Sequence, residues 1–285
     1  MTKSRKPPLR VDRAIPSPRA HFQTPWVPFP EGADVLKTMA RFIGRPDEGR
    51  PMNLALIGDS GFGKSHLLDH FADCYPDIAD ETPPRIQVVS IMVTGQSDGR
   101  ALMRELLSEI GASFRPNDAY DELLRDFCIK AEVAEVGLIV LDEFHNGISE
   151  RRDRTLRMIT AVRDLSNRIR RPIVVAGDER VKELLRYDRQ LYERFQIKEL
   201  PVWTEKNAVM KFLAAFERSL GLPEESRLGT GTMADLVMEL AGDHMGSIAE
   251  LVREAARVAI TAGAAKVTDD HLHKAHPLIR RGLPA

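Results

Sequence analysis

Leu54-Ala55-Leu56-Ile57-Gly58-Asp59-Ser60-Gly61-Phe62-Gly63-Lys64-Ser65 is the stretch whose reading decides the fold class. Four apolar residues give a short strand, and the next eight fit G-x-x-x-x-G-K-S with every fixed position filled. Leu67, Leu68 and Phe71 then start an apolar pattern at helical spacing. A strand that turns through glycines into a helix aims backbone N–H groups and the positive helix end at one point, so the segment predicts a phosphate-binding loop. Gly58, Asp59, Ser60, Gly61, Phe62, Gly63, Lys64 and Ser65, with His66 behind them, are the expected nucleotide contacts. In that role Lys64 supplies a mobile charge to the β and γ phosphates, and Ser65 supplies a hydroxyl to Mg²⁺.

Outward from the loop, short apolar runs alternate with longer helical patterns. The runs are Leu54 to Ile57, Ile86 to Val93, Leu138 to Leu141 and Ile173 to Val175, and a fifth strand is expected near Ile197 to Val202. Strands apolar on both faces and alternating with helices predict an α/β fold, a parallel sheet covered by helices on each side. Before it, Val35, Leu36, Met39, Phe42 and Ile43 predict a helix from Glu31, ended by Gly44-Arg45-Pro46. After Trp203 the pattern is helical only: Glu205 to Leu220, Thr232 to Ala241, Ser247 to Ala262, and Asp269 to Ala275 behind Thr268 as N-cap. The chain therefore reads as a basic, proline-rich arm over 1–30, an α/β nucleotide-binding domain over 31–203 and a small helical lid over 204–285, with no internal repeat.

A second element completes the expected site. Gly137-Leu138-Ile139-Val140-Leu141-Asp142-Glu143 is a buried strand that delivers two acids at its carboxyl end, where open α/β sheets bind ligands. Asp142 is expected to hold Mg²⁺ and Glu143 to polarise the attacking water at the γ-phosphate. No Asn-Lys-x-Asp guanine signal is present, so ATP is the expected nucleotide.

Composition sets limits on the rest. Forty-one Lys and Arg stand against 42 Asp and Glu over 285 residues, so attraction for nucleic acid must come from a local patch. Cys74 and Cys128 are too few for a disulfide framework or thiolate cage and read as small core hydrophobes in a reducing compartment. No apolar run approaches the roughly 18 residues of a membrane span, and a cytoplasmic location is expected. Lys3, Arg5, Lys6, Arg10, Arg13 and Arg19 among prolines predict a mostly extended arm, either a solubilising tail or a basic arm for nucleic acid or a docking peptide for a partner. His66 and His70 lie four apart but lack the glutamate of a zinc helix, while His271, His273 and His276 read as a solvated helix face. His145 follows the acids, with hydrogen bonding to them and simple packing as its two readings.

These motifs, with His21-Phe22-Gln23-Thr24-Pro25, His145-Asn146, Pro172-Ile173-Val174-Val175-Ala176-Gly177, Gln190-Leu191-Tyr192-Glu193-Arg194-Phe195 and Gly242 to Ile260, resemble the AAA+ family. Within it they resemble the TniB/TnsC group of ATP-dependent transposition regulators, over nearly the whole chain from His21 onward. The resemblance implies a P-loop AAA+ sheet with a C-terminal α-helical lid, binding ATP and Mg²⁺, with Phe22 and Thr24 beside the nucleotide. It implies a homo-oligomer, ring or helical filament, around duplex DNA, which links a target-selector protein to a DDE transposase and performs no strand transfer itself. It also implies an arginine finger from a neighbouring subunit: Arg194, with Arg189 second and ion pairs to Glu193 or Asp188 as the alternatives. Thr94, Ser97 and Arg100, with Arg104, and the turn Arg115-Pro116-Asn117 fall where the group touches DNA phosphates, so sequence-independent contact is expected.

Two departures stand out. Asp178 takes the place of a neutral polar sensor and suits the site only if it faces a cation such as Arg180; Ser247 replaces a sensor arginine after Gly246. The competing functions are an ATPase switch that loads or remodels a protein partner without DNA, and a nucleotide-binding scaffold that barely hydrolyses ATP.

Overall fold

The computed structural model describes residues 24–43, 52–78, 85–200, 206–242 and 244–280. Residues 1–23 of the basic arm, with Phe22, the Gly44-Arg45-Pro46 stop signal and the Trp203 boundary lie outside the described residues. The chain divides into two compact units, one within 28–201 and the other from 202 onward together with the segment before 28.

The first unit runs α1 (Pro30–Ile43), β1 (Asn53–Ile57), α2 (Lys64–Cys74), β2 (Val88–Met92), α3 (Gly99–Glu109), α4 (Tyr120–Val133), β3 (Leu138–Asp142), α5 (Arg152–Arg168), β4 (Ile173–Gly177), α6 (Arg180–Arg186), α7 (Arg189–Tyr192) and β5 (Phe195–Glu199). Its sheet has the order β2-β3-β4-β1-β5 with every pair parallel. Because β4 is inserted between β1 and β3, the carboxyl ends of β1 and β3 flank Gly177 at the end of β4. That order gathers distant parts of the sequence into one crevice.

Burial explains why the strands read as continuous apolar runs. Ala55, Ile57, Ile139, Leu141, Ile173 and Val175 share a core with Leu102, Leu106, Phe127 and Val162 of α3, α4 and α5. The alternate residues Leu54, Leu56, Leu138, Val140, Val174 and Ala176 are equally buried, on the face toward α2, which packs on β4 and on α1. β5 begins two residues before the expected strand, and its Gln196 and Glu199 are exposed, so an apolar run does not mark its start. Cys74 corrects an expectation: it is exposed at the last residue of α2, 3.8 Å from His70 Nε2. Cys128 is half-buried against the core, and burial pushes its thiol pKa up.

Asn53 is the polar exception in this core. It is fully buried, its Nδ2 donates to Ser166 Oγ at 3.2 Å, and its Oδ1 accepts from Ile173 N at 3.0 Å. It joins β1 to β4 and α5. Asn53→Ala is expected to destabilise the chain by about 2 kcal/mol, since the Ile173 N–H would be left buried and unpaired. A fall in the urea midpoint at constant slope measures this.

The second unit contains α8 (Lys206–Leu220), α9 (Gly231–Ala241), α10 (Met245–Thr261) and α11 (Asp269–Arg280). Phe212, Leu213 and Phe216 of α8 and Ile248, Leu251, Val252, Ala255 and Ala259 of α10 are buried at helical spacing. α11 extends past the expected Ala275 to Arg280 with Pro277 inside it, where the proline forgoes one i→i−4 hydrogen bond. His271 also departs from the solvated reading: it is buried, and its Nδ1 accepts from Thr268 N at 3.1 Å, capping α11. His273 is exposed and His276 half-buried. Thr24 belongs to this unit, its Oγ1 accepting from Arg253 Nη1 at 2.7 Å. No described helix is long and apolar enough to cross a membrane.

Candidate functional site

The phosphate loop leaves β1 with Gly58 N donating to Gly177 O at 3.0 Å. Gly61 and Gly63 have φ of 82° and 83°, left-handed values that glycine adopts without steric cost, and Gly63 caps α2. Lys64 is only 4% exposed, and its Nζ donates to Gly58 O at 2.7 Å and Asp59 O at 3.0 Å. Two carbonyl dipoles offset only part of a buried ammonium's charge, so the loop fits an anionic ligand. Phe62 is buried, Asp59 and Ser60 are exposed, and His66 is half-buried.

β3 delivers its acids to the same place. Asp142 is 7% exposed, and its Oδ2 accepts from Ser65 Oγ at 2.6 Å while its Oδ1 accepts from Glu143 N at 2.8 Å. Residues 77 apart in sequence are thereby joined. Glu143 has φ 52° and ψ 35°, a left-handed conformation that costs a non-glycine residue about 1 kcal/mol. Ser65 and Asp142 offer the two oxygens that Mg²⁺, which keeps most of its ligands as water and phosphate, requires of a protein. Among the described residues no group of three or more His, Cys, Asp or Glu side chains could hold a metal by itself. Burial, then the charge of His66, lowers the pKa of His70.

Asp178 faces Arg180, the condition that the sequence imposed on it. Arg180 Nε lies 3.0 Å from both Asp178 oxygens and Nη2 2.6 Å from Oδ2. Burial opposes ionisation of Asp178, yet the side-chain and backbone hydrogen bonds from Arg180 outweigh it and lower its pKa. His145 stands between the acids, Nε2 at 3.3 Å from Glu143 Oε2 and 3.7 Å from Asp178 Oδ2. Asn146 instead donates to Val93 O at 3.1 Å. The sequence named His145 without choosing its role; Gly177, whose added Cβ would lie 2.8 Å from His145 Nδ1, was missed because its signal is a through-space contact.

Arg194 lies apart from these groups, at the start of β5, where its Nη1 donates to Asn167 Oδ1 at 2.6 Å and its carbonyl accepts from Asn53 N. Arg189 pairs with Glu193 at 2.9 Å and Asp188 with Arg163 at 3.2 Å. Ser247 sits in the first turn of α10.

The two segments expected at DNA do meet, because Arg100 Nη2 donates to Pro116 O at 3.1 Å and Arg104 Nη2 to the same carbonyl. Thr94, Arg115 and Asn117 are exposed there. Ser97 is a correction: it is 2% exposed and its Oγ accepts from Thr94 N at 3.0 Å, so its hydroxyl closes the loop and does not face outward. Arg154, not anticipated from the sequence, reaches this loop through Gln96 O.

A family model described as Bacterial TniB protein matches residues 20–205. Among solved structures, the chain is similar to the Aeropyrum pernix ORC2 protein in its ADPNP-ADP complexes, at 16% identity, covering 88% of this chain and 70% of that one with a TM-score of 0.66. It is similar to CDC6P from Pyrobaculum aerophilum at 17% identity, 92% and 73% coverage and a TM-score of 0.68. It is also similar to the Aeropyrum pernix ORC1 protein in complex with DNA, at 16% identity, 88% and 65% coverage and a TM-score of 0.58. At such identities the likeness concerns the fold. No curated protein matches the chain.

Proposed function

The chain belongs to the bacterial TniB family and has the P-loop AAA+ ATPase fold, and from that premise we propose that it is an ATP-dependent regulator of DNA transposition. In this reading it binds Mg-ATP, assembles with its own copies on duplex DNA and recruits a DDE transposase to a site marked by a selector protein. The observation that carries the enzymatic part is the 2.6 Å bond from Ser65 to Asp142, with Glu143 next in the chain. It joins the phosphate loop to the carboxyl end of β3.

Residue roles follow from these positions. Lys64 exchanges its hold on the Gly58 and Asp59 carbonyls for phosphate oxygens, which an ammonium on a flexible stem can do. Ser65 and Asp142 hold Mg²⁺, which when bound neutralises phosphate charge. Glu143 orients and polarises water for in-line displacement. Phe22 and Thr24 are kept as further nucleotide contacts on the family resemblance alone. Arg194 serves the neighbouring subunit's site, for which its place at the amino ends of the strands, away from the phosphate loop, is the support.

Thr94, Arg100, Arg115 and Asn117 form the proposed DNA face, with Arg154 added and Ser97 withdrawn. Exposed Thr94, Arg115 and Asn117, beside the half-buried Arg100 and Arg154, suit phosphates and carry no base code. In support, the structurally similar ORC1 of Aeropyrum pernix is in complex with DNA. Arg115→Ala is expected to weaken ATP-dependent co-sedimentation with duplex DNA several-fold on unrelated sequences alike, and to reduce the salt slope by about one per lost phosphate contact. If Arg100→Ala and Arg115→Ala both co-sediment like the parent, this face is wrong. Negative-stain images with ATP, with and without duplex DNA, test assembly: particles that stay monomeric in every condition sink the regulator reading and favour a switch acting on a protein partner.

A further inference from the structure

Phosphate binding and metal binding do not require His145, yet its surroundings are built around it. It lies in the turn Phe144–Gly147 after β3, packed on β4 and α6, with its side chain 12% exposed. Its Nε2 faces the Glu143 and Asp178 carboxylates at 3.3 and 3.7 Å. Its Nδ1 is buried and finds no hydrogen-bond partner among the described residues.

That asymmetry selects a tautomer. A proton on Nδ1 would be a buried donor without an acceptor, and Nε2 would then turn a lone pair toward two anions. With the proton on Nε2 only an acceptor lone pair goes unmet, the cheaper omission. The ring is thus a donor at Nε2, aimed at two carboxylates that compete for one N–H. Arg180 weighs on the competition, because it grips Asp178 through three contacts of 3.0 Å or less. The ring's place is also reserved: a Cβ at Gly177 would fall 2.8 Å from Nδ1 and 2.6 Å from Val181 Cγ2.

We propose that His145 is a positioning residue for Glu143, its Nε2–H fixing the carboxylate that polarises water, while the exposed Arg180 keeps Asp178 from taking that hydrogen bond. The inference rests on the ATPase reading of Glu143. It makes a side chain at the surface a control point for the base, since drawing Arg180 away hands the N–H to Asp178.

The test is steady-state ATP turnover by the full chain, with ATP and duplex DNA, beside the affinity for a fluorescent ATP analogue. His145→Ala is expected to lower kcat about tenfold with KM and analogue affinity unchanged, and His145→Gln, whose amide can present a donor near the Nε2 position, to recover most of it. His145→Ala should add nothing on a Glu143→Gln background. Arg180→Ala should lower kcat, and Asp178→Asn added to it should restore it. Equal losses in His145→Ala and His145→Gln, a loss confined to affinity, or no rescue by Asp178→Asn would overturn the proposal. Parental turnover by Glu143→Gln would instead overturn the ATPase reading on which it stands.

Discussion

Glu143→Gln is expected to reduce ATP turnover by about 100- to 1,000-fold while nucleotide affinity stays within a few-fold. The substitution preserves length and hydrogen-bonding capacity but removes the negative charge that polarises water. It leaves the Ser65–Asp142 bond and the Lys64 contacts untouched, because none of them involves the Glu143 side chain. The backbone at 143 should also persist, since its left-handed turn is fixed by Glu143 N donating to Asp142 Oδ1 and by Asn146 N donating to Glu143 O at 2.9 Å. Turnover and fluorescent-analogue binding, measured on one preparation, separate the outcomes. A chain that hydrolyses at the parental rate after this change is a nucleotide-binding scaffold or uses another base.

The parts of the site that could be read from the sequence are those whose chemistry is written in consecutive residues. Residues 54–65 combine a strand, glycines that need left-handed φ and a lysine, and no other common local structure asks for that combination. Leu138 to Asp142 was legible because a strand buried on both faces must be apolar throughout. Contacts through space were not. That Gly177 makes room for His145, or that Arg154 holds Gln96, follows from β4 lying between β1 and β3 and from α5 starting beside the loop after β2. Local composition also misled where one residue's surroundings override its class. Ser97 turns inward to close a loop, His271 turns inward to cap a helix, and Cys74 turns outward at a helix end. Asp178 lies between these cases, since the sequence supplied both the problem and, two residues on, its cation.

Arg194→Ala is expected to lower turnover in the assembled state by roughly 1,000-fold, the scale of an arginine finger, with little change in nucleotide affinity. The argument is one of reach. Phe195 pairs with Asn53 at the first position of β1, while the phosphate loop begins after Ile57 at the last. Four residue steps of parallel strand put roughly 13 Å between the two edges. An arginine at the first edge cannot neutralise phosphate charge at the second within its own subunit, but a head-to-tail neighbour can present it. Arg189 is the second candidate, in an exposed ion pair with Glu193. The decisive experiment mixes two inactive chains. Lys64→Ala removes the nucleotide charge contact and keeps the finger, while Arg194→Ala does the reverse. In an equal mixture about a quarter of head-to-tail interfaces join an intact Lys64 to an intact Arg194, so turnover should return to about that fraction of the parental rate. If the mixture stays as inactive as its components, although electron microscopy shows that they co-assemble, Arg194 acts within its own subunit or only on structure. The interface reading of the site then fails.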